Sequence, residues 1–340
     1  MERLAPVLLT LGLGVAGGGL FAWLGLPASW LSGAMIAVAV AALAGAPVLM
    51  PARLRDGAFV LLGILMGAAV TPETVAQMVA WPVSVALLVI SIVATVASGT
   101  YYLERVHRWD PVTARFSSVP CALSAVLILA ATSGADVPRV ALAQSIRLFT
   151  LVAVMPWLLA VGFGAAVAAP ATPPNVASPA GLAVMLAASA AAAWLCQRLR
   201  VPGGVLLGAM LASALLHGTG LVVGYPPRPL VVLGFVATGA VIGTRFRGTA
   251  LSVLARTVPG ALTSVFLALL LSAGFAGLGA WLLGFPFGQL WLAYAPGGVE
   301  AMAALALALG LDAAFVGGHH VIRFLGLNLL SPWWRRDGPT

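Results

Sequence analysis

Two arginines, Arg147 and Arg323, stand in apolar stretches 176 residues apart. Each follows a polar residue three positions earlier, Gln144 and His320, which shares its face of a helix. Upstream of each, again at a spacing of 176, a proline interrupts an apolar run: Pro120 in SSVPCALS and Pro296 in APGGVE. Proline removes a backbone donor and glycine permits a tight turn, so 110–133 and 286–309 both read as short helix, break, short helix. A break of this kind presents free N–H groups and a positive helix end, which is where an anion binds. The competing reading is an ordinary proline kink. Irregular backbone at membrane depth survives only when it is buried in protein or lines a cavity.

One acid joins this set. Glu300 follows the second break, and Ser124 stands at the matched place after the first. A Gly–x–Asp turn closes each hairpin, Gly134-Ala135-Asp136 and Gly310-Leu311-Asp312, with the glycine ending one helix and the aspartate capping the next. Arg323 lies eleven residues beyond Asp312 and Glu300 ten before Gly310, so both sit roughly 15 Å below the turn on antiparallel helices. Burying one charge alone is expensive, and a partner is expected. Either Glu300 serves both arginines, or Arg147 waits for an anionic ligand, or Glu300 and Arg323 simply pin hairpin to span. The candidate solute-binding residues are therefore Pro120, Ser124, Gln144 and Arg147 in the first half. In the second they are Pro296, Gly297, Gly298, Glu300, His320 and Arg323.

The elements that must position these residues are apolar helices. The 340 residues are 61% hydrophobic and 8% charged, with a mean hydropathy of +1.08. A soluble fold has no use for so few charges. The chain is also written twice: LPASWLSGAM (26–35) recurs as VPGGVLLGAM (201–210), and Gly63 and Gly67 recur as Gly239 and Gly243. The GxxxG spacing of these glycines marks close helix packing. We read 1–164 as a first membrane repeat, 165–179 as an extracellular linker and 180–340 as a second repeat. Apolar runs predict spans near 4–24, 29–49, 57–71, 82–103 and 138–164, then 180–197, 202–223, 229–244, 257–284 and 314–334.

Arginine placement sets the topology. All seventeen basic residues are arginine. Five crossings per half with both termini cytoplasmic leave Arg228 as the one arginine outside among the loop arginines, whereas six crossings scatter them to both sides. An odd number of crossings inverts the second half. The fold class is all-α, with two inverted repeats of about five transmembrane helices and one re-entrant hairpin each. Trp23, Trp30, Trp333 and Trp334 suit interfacial positions. The first apolar run reads as a span rather than a cleaved signal peptide, because its counterpart at 180–197 is internal.

The duplicated P-x-x-hydrophobic-L-x-G-A-M element, with APGGVEAM (295–302) and GLDAAFVGGHHVIR (310–323), resembles the AbrB-duplication family of bacterial membrane proteins. The resemblance covers essentially the whole chain. The first hairpin, SSVPCALSAV (117–126), departs from the Pro-Gly-Gly-x-Glu form, so any role of the acid rests on Glu300. The family carries two labels, membrane regulator of gene expression and ammonia monooxygenase. It shares a name, and not a fold, with small soluble DNA-binding transition-state regulators. The resemblance implies a bacterial inner-membrane location.

Function is read as secondary transport of a small, anionic solute. Inverted repeats, broken hairpins and midplane charges are the recurring parts of alternating-access carriers. The coupling ion is left open between H+ and Na+, with Glu300 as a proton carrier, and the oligomeric state is left open as well. The chain has no lysine and hence no phosphate-binding loop of the Gly-Lys-Ser/Thr kind, so it does not drive transport with ATP by itself. The alternative is an AbrB-type regulator of gene expression acting indirectly, since no basic segment is available to enter a DNA groove. An enzyme is not expected. Oxygen chemistry needs clustered metal ligands, and the four histidines are scattered or, at His319-His320, face different ways. Cys121 and Cys196 form neither a disulfide framework nor a zinc site, and no metal or cofactor is expected.

Overall fold

A computed structural model of the chain describes residues 4–70, 81–120, 123–163, 175–201 and 203–330. All regular structure among them is helical. The first half contains α1 (Leu4–Trp23), α2 (Ser29–Leu43), α3 (Ala52–Ala68), α4 (Trp81–Arg105), α5 (Pro111–Ser118), α6 (Leu123–Thr132) and α7 (Val137–Phe163). The second contains α8 (Pro179–Arg198), α9 (Gly204–Gly218), α10 (Arg228–Gly243), α11 (Leu251–Leu283), α12 (Phe287–Tyr294), α13 (Val299–Ala308) and α14 (Ala313–Leu330). Among the described residues six helices are long and apolar enough to cross a bilayer: α1, α4, α7, α8, α11 and α10 with the 3₁₀ turn that follows it.

Several boundaries differ from the apolar runs. The α2 and α9 helices stop after 15 residues, about 22 Å of rise, short of a hydrocarbon core of roughly 30 Å. Gly45 (φ +86°) follows the end of α2, and Gly220 (φ +73°) follows that of α9. Both take up the left-handed backbone in which helices end. The α3 helix instead begins at Ala52 and carries Arg53, Arg55 and Asp56 in its first turns, where water solvates them. Most of the 165–179 stretch, together with Trp333 and Trp334, lies outside the described residues.

The helices pack as two compact units, and each draws matched helices from both halves of the sequence. The first unit contains α1–α3, α8–α10, residues 300–317 and the end of α7 from Pro156. Here glycines set the contacts. A methyl group built on Gly63 would stand 2.6 Å from Leu206 O, and one on Gly67 would meet Met210 O. Matched to these, a methyl on Gly239 would meet Leu31 O and one on Gly243 would stand 2.7 Å from Met35 O. Thus α3 lies on α9 and α10 on α2 through the same residues, each pair running parallel. Ser213 Oγ donates to Ile64 O at 2.8 Å and ties α9 to α3. Within this unit α8 is mostly exposed and α10 mostly buried, which suits a lipid-facing helix outside and a packed one inside.

The second unit contains α4, α5, α6, α7 up to Met155, α11, α12 and α14 from Gly318. Its axis is the pair α4 and α11. Gly260 packs on Leu103, Gly99 on Ser264 and Gly279 on Leu87, so these matched helices run antiparallel. The short helices lean on them. Ser118 Oγ would lie 3.1 Å from a methyl at Gly99, while the Trp291 indole donates to Leu269 O and to Ser272 Oγ, both at 3.2 Å.

Candidate functional site

Both expected interruptions are present, at matched residues. The α5 helix starts with Asp110 as cap, its Oδ1 accepting from Thr113 N at 2.9 Å, and Pro111 at the first position, where no donor is needed. It ends at Val119, whose ψ of 126° is extended. The α12 helix ends at Ala295, 176 residues later, with ψ 139°. The closing turns behave as caps: Asp136 Oδ1 accepts from Arg139 N at 3.1 Å and Asp312 Oδ1 from Phe315 N at 2.9 Å, after Gly134 and Gly310 at positive φ.

A helix that stops inside an apolar layer leaves carbonyls without donors. Here the two arginines supply them. Arg147 Nη1 donates to Ser117 O at 3.2 Å, Ser118 O at 3.4 Å and Val119 O at 3.3 Å, and Nη2 donates to Gln144 Oε1. Gln144 Nε2 donates in turn to Phe116 O at 2.7 Å and Val119 O at 3.0 Å. In the second half Arg323 Nη1 donates to Ala295 O at 2.7 Å and Nη2 to Gly297 O, while His320 Nε2 donates to Leu292 O at 2.8 Å. Phe116 and Leu292, Val119 and Ala295, Gln144 and His320, Arg147 and Arg323 are all 176 apart. The repeat is therefore preserved to the level of single hydrogen bonds. A cation at a helix C-terminus is also favoured by the helix dipole. All four side chains are buried, Arg147 and Arg323 included.

In each half the helix that follows the hairpin, α7 or α14, thus brings its own polar pair to the break. Pro120, Pro296 and Gly297 are buried in the breaks and Gly298 is half-buried. The Ser124 side chain lies outside the described residues. Glu300 occupies the first turn of α13, where a carboxylate complements the positive helix end. It belongs by packing to the first unit, and Arg323 to the second. Within the first unit Glu300 is in electrostatic reach of Arg245, with Arg55 also near. The spacing of the sequence did not suggest that grouping.

Sequence reasoning also missed a buried polar cluster in the second unit. Ser84 Oγ lies 2.9 Å from the Tyr294 hydroxyl and 2.9 Å from His319 Nε2, and the Tyr294 hydroxyl donates to Ser84 O at 3.0 Å. Trp81 covers His319, ring centroids 5.4 Å apart. Ser84 lies 210 residues from Tyr294, so only tertiary contact reveals the group. The local signal was a serine on a largely apolar helix face that also buries Ser91 and Thr95. No group of three or more metal-ligating side chains forms among the described residues.

The architecture is that of a helical protein with spans for a bilayer and two arginine-held helix breaks. The chain belongs to the AbrB family, described as "Transition state regulatory protein AbrB", which matches residues 30–336. It is similar to the Escherichia coli (strain K12) protein named "Putative regulator AbrB", 27% identical over 312 residues, covering 90% of this chain and 89% of that one. It is also similar to the "Uncharacterized protein YhjN" of Bacillus subtilis (strain 168), 27% identical over 363 residues, covering 98% and 94% of the two chains. No solved structure matches.

Proposed function

We propose that this chain is a secondary carrier, not an enzyme, that moves a small anionic solute across the bacterial inner membrane in exchange for, or together with, H+ or Na+. The observation that carries this reading is the pair of buried arginines, each holding the carbonyls of a matched helix break. Carbonyl oxygens are weaker acceptors than a carboxylate or phosphate, so an entering anion can replace them on the guanidinium fork. Losing those bonds frees the break to move, which links binding to a conformational step. Pro120, Pro296, Gly297 and Gly298 shape the two breaks, and Ser124 and Glu300 stand at their second helices.

Several contacts support an inverted arrangement of the halves, and the arginine bias of the loops is the ground for placing both termini in the cytoplasm. The matched helices α4 and α11 run antiparallel. Ser118, at the end of the first short helix, packs at Gly99 of α4, whereas the Tyr294 hydroxyl at the matched end bonds Ser84, fifteen residues or about 22 Å away along the same helix. Hairpins entering from opposite sides have this relation. The regulatory names of the relatives then describe an indirect effect, in which gene expression responds to the solute that is moved.

Reconstitution in liposomes tests the reading. Wild-type protein is expected to take up at least one anion from a panel of acetate, succinate, citrate and phosphate, with Arg147→Lys and Arg323→Lys impaired. Absence of flux for every small anion tried, with and without proton and sodium gradients, refutes it.

A further inference from the structure

The two halves share a bond at matched positions but make it with different side chains. Gln144 and His320 make the equivalent bond, to Phe116 O and to Leu292 O. A carbonyl has no proton to give, so His320 Nε2 carries the hydrogen and Nδ1 of the neutral ring is a bare acceptor. That Nδ1 is fully buried and has no hydrogen-bond partner among the described residues. The first half shows that an amide suffices to hold the carbonyl. An imidazole adds one property, the ability to take a second proton near neutral pH.

We propose that His320 Nδ1 is the binding site of the carrier's coupling proton, and that the solute anion is bound beside it as the acceptor of that proton's hydrogen bond. The inference rests on the carrier reading above. The groups that face His320 define the coupling. On its own helix Arg323, three residues on, and His319 act on it electrostatically. From α12 comes the Leu292 carbonyl, while Tyr294 of the same helix faces His319, ring centroids 6.4 Å apart, and its hydroxyl is engaged with Ser84 of α4. An imidazolium here adds a positive charge near Arg323 and makes Nδ1 a donor with no acceptor among the described residues. A carboxylate or phosphate answers both needs at once. Proton and anion then enter as a pair, the proton coming from water to Nδ1 and returning to water on the other side. By reciprocity, the anion raises proton affinity by the same factor as the proton raises anion affinity. The first half, with Gln144 at the matched position, takes no proton.

The test is ¹⁵N-histidine NMR of the full chain in nanodiscs, without solute and with acetate, succinate, citrate or phosphate. The resonance absent from His320→Gln identifies the residue. Expected is a neutral ring with hydrogen on Nε2 at high pH that gains a second proton between about pH 5 and 8 when an anion is present. A ring that stays neutral throughout that interval with all four anions overturns the proposal. In liposomes, wild-type flux is expected to change about tenfold across the same interval and His320→Gln flux less than about twofold, while Glu300→Gln retains the tenfold pH dependence whatever its overall rate. Survival of the profile in His320→Gln, or its loss in Glu300→Gln alone, also overturns it. Because Gln144 already makes the equivalent bond, His320→Gln is expected to fold, and its melting temperature checks that. A protein that moves an anion with His320 neutral refutes the proton site alone. One that protonates His320 but moves no anion refutes the carrier and the coupling role with it.

Discussion

Replacing Gly63 by alanine places a methyl group 2.6 Å from Leu206 O, 2.7 Å from Ala209 Cβ and 2.9 Å from Met210 N. Two of these three atoms are backbone of α9 and cannot rotate away. Ordinary contact starts near 3.4 Å, so α3 and α9 must separate by roughly 0.8 Å along the line of contact. Overpacking of this kind costs about 1–3 kcal/mol. The same substitution also gains helix propensity, about 1 kcal/mol for glycine to alanine. A control on the same helix removes that gain from the comparison: Gly57 has nothing within 4 Å of an added methyl. The difference between Gly63→Ala and Gly57→Ala therefore isolates the packing cost, about 1–3 kcal/mol in favour of Gly57→Ala. Equilibrium unfolding in mixed detergent micelles, followed by tryptophan fluorescence and circular dichroism, measures it. The matched test on α10 sets Gly239→Ala, which drives a methyl onto Leu31 O, against Gly234→Ala, whose nearest neighbour would be Leu61 Cβ at 3.6 Å. Equal stability of Gly63→Ala and Gly57→Ala would refute the claim that these glycines fix how the two halves meet.

Other perturbations follow from the breaks and the loops. Gln144→Leu strips Phe116 O and Val119 O of a donor and is expected to cost about 1–3 kcal/mol in the same unfolding assay; Gln144→His keeps the Phe116 bond and costs less. Arg147→Lys keeps the charge but a single ammonium cannot serve three carbonyls and Gln144 together, so its loss in stability should approach that of Arg147→Met rather than of wild type. Tyr294→Phe removes the hydroxyl between α12 and α4 and is expected to cost about 1 kcal/mol, with Ser84 still held by His319. In the loop between α9 and α10, burial raises the pKa of Tyr225 above 10. The neutral phenol is favoured by the fold, so its stabilising contribution is full below that ordinary value and is lost as pH rises through the raised one; Tyr225→Phe should flatten the alkaline limb of a stability profile.

The positions of the helices and of their interruptions were legible in the chain. Helical periodicity, proline, glycine and capping aspartates act within a few residues of themselves, and the two hairpins with their Asp136 and Asp312 caps follow from such local terms. Span ends were less so. A helix continues through charged residues once they reach water, as α3 does at Arg53 and Arg55, and stops early where a left-handed glycine follows, as at Gly45. The doubled pattern of Arg147 and Arg323 marked both residues as important, but an arginine's type does not say whether it will meet a carboxylate or a row of carbonyls.

Only the folded chain decided the partners. That α3 lies on α9 and α10 on α2 depends on which small-residue surfaces fit at van der Waals distance, a property of two helices together and of neither alone. The same holds for Ser84, His319 and Tyr294, scattered along the sequence and joined by hydrogen bonds that exist only after α4, α12 and α14 have packed. What the sequence by itself determined was a duplicated set of apolar helices with two broken hairpins. The tertiary structure determined that the donors for each break come from a helix of its own half, because a carbonyl buried away from water must take the nearest side chain able to donate to it.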